Sequence, residues 1–332
     1  MLRIGVLGAA AIAPAALIRP ARQVPGVTVT AVAARDRARA ERFAARHGVG
    51  TAYGSYDDLL ADPAIDAVYI ALPNALHAPW TLRALDAGKH VLCEKPLAAN
   101  RDEARQVAAA AGDRVVMEAL HYRHHPLAER LRAVVREEIG PVRRLRVTLG
   151  VPLPPSADIR YSYELGGGAT MDLGCYAVHL ARLLGGDSPR VAAARARVLR
   201  SRPLIDRAMR AELVFPGGAR GEIRVSLWGR PPLSISAHVT GERGAVSVAN
   251  FLVPHVWHRL KVRGPGGARV ERVDGEPTYT AQLRAFHAAV TTGTPPLTGA
   301  ADAVVTAGLL DDVYRAAGLP PRGVTTLRQE AT

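Results

Sequence analysis

The first third of the chain alternates short apolar runs with amphipathic stretches, and this alternation constrains the fold most. Apolar runs typical of strands occupy Ile4–Leu7, Val27–Ala33, Ala67–Ala71, Val91–Cys93 and Arg114–Met117. Patterns typical of helices lie between them, at Ala11–Gln23, Asp36–Arg46, Ser55–Leu60, Ala75–Ala87 and Arg101–Ala111. Strands and helices that alternate at this spacing form right-handed parallel crossovers. The sequence therefore predicts an α/β fold that begins with a doubly wound parallel sheet.

The starts of several predicted helices carry capping signals. Asn100, followed three residues later by Glu103, has the spacing of a capping box, and Asp36 and Ser55 are suitable N-cap residues. These signals support the helix boundaries in the first third of the chain.

The pattern changes after about residue 120. Strand-like runs follow one another at Arg144–Gly150, Arg190–Leu199, Ala208–Phe215, Gly221–Leu227, Ser234–Thr240, Ala245–Val248 and Trp257–Val262. Turn residues such as Pro216-Gly217-Gly218 separate several of them. One helix, near Ala169–Leu184, interrupts this series, and Tyr279–Thr291 and Gly299–Ala317 are helical again. We expect an α+β region here with an open, mainly antiparallel sheet.

The length of 332 residues exceeds what one core usually fills, so we expect two domains. Residues 1–120 would form one domain around the doubly wound sheet, and residues 121–332 would form the other around the antiparallel sheet.

The formal net charge of +13 raises the question of nucleic-acid binding. The arginines are spread along the chain and do not form one stripe in the sequence, and aromatic residues make up 5% of it, so few stacking platforms exist. We therefore expect no nucleic-acid partner. No apolar run is long enough for a membrane span, and the N-terminus lacks the pattern of an export signal.

Two cysteines, Cys93 and Cys175, lie far apart in the sequence. They do not suggest a disulfide framework, and a reducing cytoplasm suits them. His121, Arg123, His124 and His125 form a basic run without nearby carboxylates or thiols, so we expect no metal site there.

The turn after the first strand has the pattern Gly-x-Ala-x-x-Ala, formed by Gly8, Ala10 and Ala13. A dinucleotide site needs small residues at these positions for the tight turn, for approach of the pyrophosphate and for packing of helix on sheet. The helix that follows would present its N–H groups to the phosphates. The turn predicts a dinucleotide-binding site.

The end of the second strand bears on the choice of cofactor. NAD sites usually carry Asp or Glu there, whereas this chain has Ala34-Arg35-Asp36. A guanidinium group can bind a 2′-phosphate, which favours NADP. NAD stays open, because Asp36 either caps the next helix or reaches the ribose.

The segment Cys93-Glu94-Lys95-Pro96 places one of the chain's three lysines where a buried strand ends. Pro96 cannot continue the strand because it has no N–H group to donate. Pro73-Asn74 and His77 similarly follow the preceding strand. Both segments therefore belong to the carboxyl edge of the sheet, where doubly wound folds bind their ligands.

These motifs, together with Gly166-Gly167-Gly168-Ala169-x-x-Asp172-x-Gly174-x-Tyr176, resemble the glucose–fructose oxidoreductase / inositol dehydrogenase / MocA (Gfo/Idh/MocA) family over nearly the whole chain. Within it, Ala33-Ala34-Arg35-Asp36 and Tyr176 resemble dimeric dihydrodiol dehydrogenases. Asp158-Ile159-Arg160-Tyr161 resembles NADP-dependent deoxysugar 3-ketoreductases.

The resemblance implies that Lys95 lies beside the nicotinamide and the substrate hydroxyl, and that the Lys95–Pro96 peptide bond is cis. A cation there would stabilise alkoxide character and lower the pKa of a neighbouring phenol, namely Tyr176. Asp172, four residues earlier and therefore on the same face of an α-helix as Tyr176, would orient these groups or bind a substrate hydroxyl. Many relatives have histidine at the position of Tyr176, so the tyrosine indicates the branch in which tyrosine donates the proton.

The expected site has three sets of residues. The catalytic set is Lys95, Tyr176 and Asp172. The cofactor-binding set is Gly8, Ala10, Ala11, Ile12, Ala13, Ala34, Arg35, Leu72, Pro73, Asn74, His77, Glu94, Lys95 and Pro96. The substrate-binding set is Arg123, Arg160, Asp172, Tyr176 and His179.

The expected function is NADP-dependent hydride transfer at a secondary alcohol or ketone carbon of a sugar, sugar nucleotide or cyclic diol. The resemblance also implies that residues 1–120 form an NAD(P)-binding domain of the Rossmann type and that residues 121–332 form a domain for substrate binding and oligomerisation. It further implies a homodimer or homotetramer. The alternative is a non-catalytic dinucleotide sensor on the same fold, which would have no need for both Lys95 and Tyr176.

Overall fold

The computed structural model describes residues 1–156, 158–186, 188–229 and 233–323. Their contacts group into two compact units. One contains Met1–His124 and Tyr279–Val304, and the other contains His125–Thr278 and the chain from Val305 onward. Residues 324–332, which belong to the predicted second domain, lie outside the described residues.

The first unit contains a parallel sheet of six strands within the described residues. The strands are β1 (Leu2–Leu7), β2 (Val27–Ala33), β3 (Thr51–Tyr53), β4 (Ala67–Ile70), β5 (His90–Cys93) and β6 (Val116–Glu118). Their order is β3-β2-β1-β4-β5-β6, and every pair of neighbours is parallel. This order is that of a Rossmann fold, so the predicted doubly wound sheet is confirmed.

Helices connect these strands. They are α1 (Arg19–Ala21), which continues a π-helical segment Pro14–Ile18, then α2 (Arg37–His47), α3 (Tyr56–Ala61), α4 (His77–Asp86) and α5 (Arg101–Ala110). The three predicted N-caps are confirmed: the side chains of Asp36, Ser55 and Asn100 each accept a hydrogen bond from a backbone N–H in the first turn. The Glu103 carboxylate also reaches back over the helix start and accepts from the backbone N–H of Ala99, the residue before the N-cap, at 2.9 Å.

The second unit contains an eight-stranded sheet. Its strands are β7 (Val142–Gly150), β8 (Arg190–Leu199), β9 (Arg202–Val214), β10 (Arg220–Ser226), β11 (Ser234–Gly241), β12 (Ala245–Ala249), β13 (Arg259–Gly264) and β14 (Gly267–Glu271). The order is β14-β13-β12-β11-β7-β10-β9-β8. Among the described strands of this sheet, β7 and β10 form the only parallel pair, and the other neighbours are antiparallel. The predicted open, mainly antiparallel sheet is confirmed.

Two helices accompany this sheet. They are α6 (Pro126–Ala133), which continues into the π-helical segment Val134–Glu138, and α7 (Cys175–Gly185), which continues the π-helical segment Thr170–Gly174. Helix α7 packs against β7 and β10. Alternate residues of β7, Leu145, Val147 and Leu149, are buried on this face.

The other face of the eight-stranded sheet is basic. Strand register places exposed cations side by side there: Arg144, Arg146, Arg195, Arg210, Arg220, Arg224, Arg259, Lys261 and Arg263. Arginines that are scattered in the sequence are therefore gathered on one surface, which corrects the expectation that they form no stripe. Glu222 lies among them and pairs with Arg146, Arg210 and Arg224.

The chain returns to the first unit through α8 (Thr278–Thr292), and α9 (Ala300–Ala316) follows. Leu283 and Phe286 of α8 are fully buried in the core that contains Leu2, Val6 and Met117. Contacts therefore place Tyr279–Val304 with the N-terminal residues, whereas the sequence analysis assigned this segment to the second domain. The domain boundary near residue 120 stays a prediction.

Candidate active site

The turn after β1 packs closely against the segment that follows β4. Gly8 has φ +101°, and a Cβ there would lie 2.8 Å from the Ala71 carbonyl oxygen and 3.0 Å from a methyl carbon of Leu72. A side chain at this position would both clash and strain the backbone. Ala13 is fully buried under the turn, while Ala11 and Ile12 are exposed at its tip. The small residues predicted to form a dinucleotide turn thus have the packing that such a turn requires.

Exposed arginines follow β2. Burial raises the pKa of Tyr56, and the charges of Arg35 and Arg39 oppose that shift, which puts both guanidinium groups near the Tyr56 ring. Arg39 also donates a 3.1 Å hydrogen bond to the Ala9 carbonyl oxygen in the β1 turn. Asp36 accepts from the Arg39 backbone N–H as the N-cap of α2. The end of β2 therefore combines two cations with a carboxylate that serves as a cap.

Lys95 lies in the connection between β5 and α5, and the predicted cis Lys95–Pro96 bond is present. The hydroxyl of Tyr69, on β4, donates a 2.6 Å hydrogen bond to the Glu94 carboxylate. On the other side of Lys95, the Leu97 backbone N–H donates to the buried Glu118 carboxylate at 2.9 Å. Both neighbours of the Lys95–Pro96 dipeptide are thus tied to adjacent strands.

His77 holds this connection from a third side. Its Nδ1 lies 2.6 Å from the Pro96 carbonyl oxygen and its Nε2 lies 2.8 Å from that of Leu72. Two carbonyl acceptors favour the imidazolium, but complete burial lowers the pKa to about 4, and the Lys95 charge acts in the same direction. The neutral ring can donate to only one carbonyl at a time. His77 is therefore a buried link between two loops at the sheet edge.

Tyr279, at the start of α8, is a residue that the sequence analysis missed. Burial raises the pKa of its phenol, the Glu94 carboxylate raises it further, and the Lys95 ammonium opposes the shift. Its ring lies 4.2 Å from the His121 ring, centroid to centroid. A tyrosine that opens an amphipathic helix has no distinguishing motif. Only the return of α8 to the first unit reveals its place near Glu94 and Lys95.

The second unit carries the other predicted catalytic residues. Asp172 lies in the π-helical segment Thr170–Gly174, and Tyr176 and His179 lie on α7; all three are largely buried. The prediction that Asp172 and Tyr176 face the same way assumed an α-helix. A π-helix has a wider turn, so the four-residue spacing does not carry that inference here.

Arg160 links two carboxylates of the second unit. Its Nε donates to Asp172 at 2.9 Å and its Nη1 donates to Asp158 at 3.2 Å. The Asp172 charge is the main cause that raises the pKa of Arg160, and burial opposes it. The guanidinium predicted to bind substrate is thus held beside the predicted catalytic aspartate.

The predicted site residues are divided between the units. The cofactor set and Arg123 belong to the first unit, and Arg160, Asp172, Tyr176 and His179 belong to the second. The structure brings the cofactor set to the carboxyl ends of β1, β2, β4 and β5. The meeting of Lys95 and Tyr176 stays a prediction.

Other features of the described residues bear on the expectations about metals, cysteines and membranes. No group of three or more His, Cys, Asp or Glu side chains that could hold a metal occurs in the described part of the chain. Cys93 and Cys175 are both buried thiols. None of the helices within the described ranges is long and apolar enough to cross a bilayer.

The fold and the sheet-edge residues define a class of oxidoreductases that use a nicotinamide dinucleotide. Residues 2–148 match the family described as "Oxidoreductase family, NAD-binding Rossmann fold", and residues 128–247 match the "GFO/IDH/MocA C-terminal domain". The chain belongs to the Gfo/Idh/MocA family.

Three similar proteins illustrate the branches of the family. A D-xylose 1-dehydrogenase (NADP(+)) 2 of Haloferax volcanii is 38% identical over 319 residues, 95% of this chain and 97% of the relative. A trans-1,2-dihydrobenzene-1,2-diol dehydrogenase of Mus musculus is 36% identical, over 68% of each chain. The crystal structure of a 3-ketoreductase from Actinomadura kijaniata in complex with NADP and TDP-benzene matches with a TM-score of 0.88 and 30% identity, over 95% of this chain and 97% of that one. The resemblance to both branches is confirmed.

Proposed function

We propose that the protein is an NADP-dependent oxidoreductase that moves a hydride between nicotinamide and a secondary alcohol or ketone carbon of a sugar-like substrate. The observation that carries this proposal is the fixed position of the Lys95 connection. His77, Tyr69 and Glu118 hold it at the same sheet edge as the Gly8 turn. A charged group that is fixed before the reaction stabilises a transition state without reorganisation.

The residues of the first unit fit NADP. Gly8 packs against Ala71 and Leu72 with no space for a Cβ, which keeps the turn tight. The residues Ala10, Ala11, Ile12 and Ala13 continue the turn as the predicted phosphate-binding residues. Arg35 is the predicted partner of the 2′-phosphate, and Arg39, whose charge also acts on the Tyr56 phenol, is a second cation after β2. When bound, NADP supplies or accepts the hydride.

Lys95 and Tyr176 would divide the remaining chemistry. In the oxidative direction the substrate C–H bond breaks with loss of a hydride, and the hydroxyl proton passes to the oxygen of an ionised Tyr176, which becomes the neutral phenol. The Lys95 ammonium stabilises the developing negative charge on the substrate oxygen and lowers the pKa of the phenol. In the reductive direction Tyr176 returns its proton to the carbonyl oxygen.

The substrate class rests on the relatives and on the polar groups of the second unit. Two of the similar enzymes are named for a sugar and for a cyclic diol, which share carbons that bear oxygen, and the third is a 3-ketoreductase in complex with TDP-benzene. Asp172, Arg160 and His179, with Arg123 from the first unit, are the proposed contacts to hydroxyl or anionic groups of such a substrate. Carboxylate and guanidinium groups bind them with charge-assisted hydrogen bonds.

The test is NADPH or NADP turnover, followed by absorbance, with xylose, glucose, ketosugars, sugar nucleotides and trans-diols. We expect Lys95→Ala to lose turnover by about 10²–10⁴-fold and Tyr176→Phe by a similar factor, with NADP affinity nearly unchanged. Lys261→Ala, on β13, is the matched lysine control and should keep full activity.

Two results would count against the proposal. Unchanged rates in both active-site variants would show that Lys95 and Tyr176 are not the catalytic pair. NADP binding without turnover on any of these substrates would instead favour the dinucleotide sensor.

We also propose that the protein assembles as a homodimer or homotetramer, as the family resemblance implies. Sedimentation velocity of the full chain tests this, and a single monomeric species would contradict it.

A further inference from the structure

A buried ion pair lies beneath the glycine-rich segment of the second unit. Neither Arg322 nor Asp206 of β9 has any exposed side-chain surface, and Arg322 Nη2 lies 3.1 Å from Asp206 Oδ1. The guanidinium also donates at 2.9 Å each to the carbonyl oxygens of Gly167, Leu204 and Pro320. A buried charge with this many partners is fully satisfied, and it fixes every segment that it contacts.

Aromatic rings complete the enclosure of the pair. The Arg322 guanidinium lies 4.0 Å above the Tyr314 ring centroid and 5.0 Å from that of Tyr163. The Tyr314 hydroxyl donates to Asp206 Oδ1 at 3.1 Å. Burial and the Asp206 charge raise the pKa of Tyr314, so this phenol stays a donor. The cluster therefore has defined hydrogen-bond directions and little room to rearrange.

The second oxygen of Asp206 caps the segment that leads into α7. Asp206 Oδ2 accepts from the Thr170 backbone N–H at 2.8 Å and from the Thr170 hydroxyl at 2.6 Å. Thr170 is the first residue of the π-helical segment that contains Asp172 and runs into α7 with Tyr176. A carboxylate at a helix start satisfies unpaired N–H groups and complements the dipole.

The glycines of the motif make room for this cluster. Gly168 has φ +128°, and a Cβ there would overlap Asp206 Oδ1 and lie 2.9 Å from the Tyr314 hydroxyl. A Cβ at Gly167 would lie 2.5 Å from the Ser162 carbonyl oxygen. These two positions therefore exclude side chains because the ion pair and the preceding loop pack there.

A π-helical turn is uncommon and mostly occurs as a single turn next to an α-helix. The segment that begins at Thr170 runs directly into α7, six residues before Tyr176, so a tilt at Thr170 moves the phenol. Asp206 is the described carboxylate that holds this first residue through both its backbone and its side chain.

We propose that Asp206, held by Arg322, is a positioning residue that sets the start of the Thr170–Gly174 segment and thereby places Tyr176 and Asp172 for proton transfer. This inference rests on the proposed function, since it assigns a task to the side chains that the proposed reaction uses. Asp206 itself touches neither the cofactor nor the substrate in this assignment.

The test compares Thr170→Val with Thr170→Ser in the full-length enzyme, with kcat expressed per NADP-binding site. Valine keeps the shape but removes the hydroxyl donor, and serine keeps it. We expect Thr170→Val to lower kcat about tenfold, to leave NADP affinity unchanged and to increase the solvent isotope effect. Thr170→Ser should stay within about twofold of the wild type.

Two further variants address Asp206 and Arg322. Asp206→Asn should lower kcat by about ten- to a hundredfold, again with a larger solvent isotope effect. Arg322→Lys, which keeps the charge, should lose less activity than Arg322→Gln. Arg315→Gln on the exposed face of α9 is the control for loss of an arginine.

The outcomes separate the two proposals. Wild-type turnover with unchanged kcat and isotope effect in Thr170→Val and Asp206→Asn would overturn the positioning role alone. A fall in rate that only matches the loss of folded, NADP-binding protein would overturn it as well. Absence of wild-type turnover would overturn the proposed function, and the positioning role with it.

Discussion

The hydroxyl of Tyr69 donates a 2.6 Å hydrogen bond to the carboxylate of Glu94, which directly precedes the proposed catalytic lysine. Tyr69 is completely buried on β4, and burial followed by the Glu94 charge raises the pKa of its phenol, so the proton stays on the tyrosine. The Glu94 carboxylate therefore has a hydrogen-bond donor, the Tyr69 hydroxyl, whose ring is held in place by the surrounding core. This pair ties the end of β5 to the neighbouring strand.

We predict that Tyr69→Phe lowers the unfolding free energy by about 1–3 kcal/mol, because Glu94 loses its donor in a partly buried place. Turnover should fall by about tenfold, since the backbone of the Lys95 connection becomes less fixed. Urea unfolding and steady-state kinetics measure the two effects. Tyr53→Phe, which removes a 2.8 Å hydrogen bond to Asp62, should change stability without changing turnover. Equal loss of turnover in both variants would contradict this account.

We predict that Arg35→Ala and Arg39→Ala weaken NADP binding more than NAD binding, by about tenfold each, because each removes a cation near the proposed 2′-phosphate position. Isothermal titration with both nucleotides measures the ratio. Arg42→Ala, an exposed arginine on the same helix α2, should leave the ratio unchanged. Equal losses for the two nucleotides would show that the end of β2 does not select the phosphate.

We predict that acid destabilises the protein partly through His77. Its pKa in the folded protein is lowered to about 4, chiefly by burial, so the unfolded chain binds more protons between that pKa and the ordinary histidine value. The unfolding free energy should therefore fall as the pH drops through this range, by about 3 kcal/mol for this group at the acid end. Denaturant unfolding of the wild type and His77→Gln at several pH values measures the slope.

The variant should show a shallower pH dependence than the wild type. His238→Gln, at an exposed position of β11, should keep the wild-type slope. A slope that is the same in all three proteins would remove His77 as its source.

We predict that Glu222→Ala lowers the unfolding free energy by about 1–2 kcal/mol, because three guanidinium groups lose the carboxylate between them. The Glu222 side chain is 12% exposed, while its arginine partners are half exposed. Added salt should reduce the loss by screening the cations. Thermal unfolding at low and high ionic strength measures this loss of stability. The control is Glu212→Ala, which removes a more exposed carboxylate. A salt-independent loss would indicate a packing effect.

The same carboxylate has a pH signature. Burial raises the pKa of Glu222, but hydrogen bonds from Arg224 and Arg146 and the charges of Arg224 and Arg210 outweigh it, so the pKa is lowered overall. Its stabilising contribution is present above the ordinary carboxyl range and is lost as the pH falls through the lowered value.

Local signals in the sequence predicted most of the fold. Apolar runs and capping residues predict helices and strands that are determined by residues close together in the sequence, such as Asn100 and Glu103. The short strand β3 was missed because three residues carry little periodicity. Strand β14 was missed because its residues are mostly exposed and follow a turn. The parallel pairing of β7 with β10 depends on which distant strands meet, which a linear pattern does not specify.

In the candidate site, too, the features that depend on local sequence were predicted and those that depend on distant contacts were not. Gly8 and the position of Lys95 after β5 follow from motifs that act locally, whereas the cis Lys95–Pro96 bond was implied by the family resemblance. Tyr279 and Asp206 were not predicted, because each acts on a segment more than 30 residues away. Only their tertiary contacts distinguish these two residues from the other tyrosines and aspartates of the chain.

The return of α8 to the first unit affects how this protein can be recombined with its relatives. Leu283 and Phe286 complete the core around β1, so a fragment that stops near residue 120 would expose apolar surface and lack part of its interior. A chimera that exchanges nucleotide specificity must carry over two separate stretches, the N-terminal residues and Tyr279–Val304. The N-terminal residues alone are therefore not an intact folding unit that could be fused to another domain.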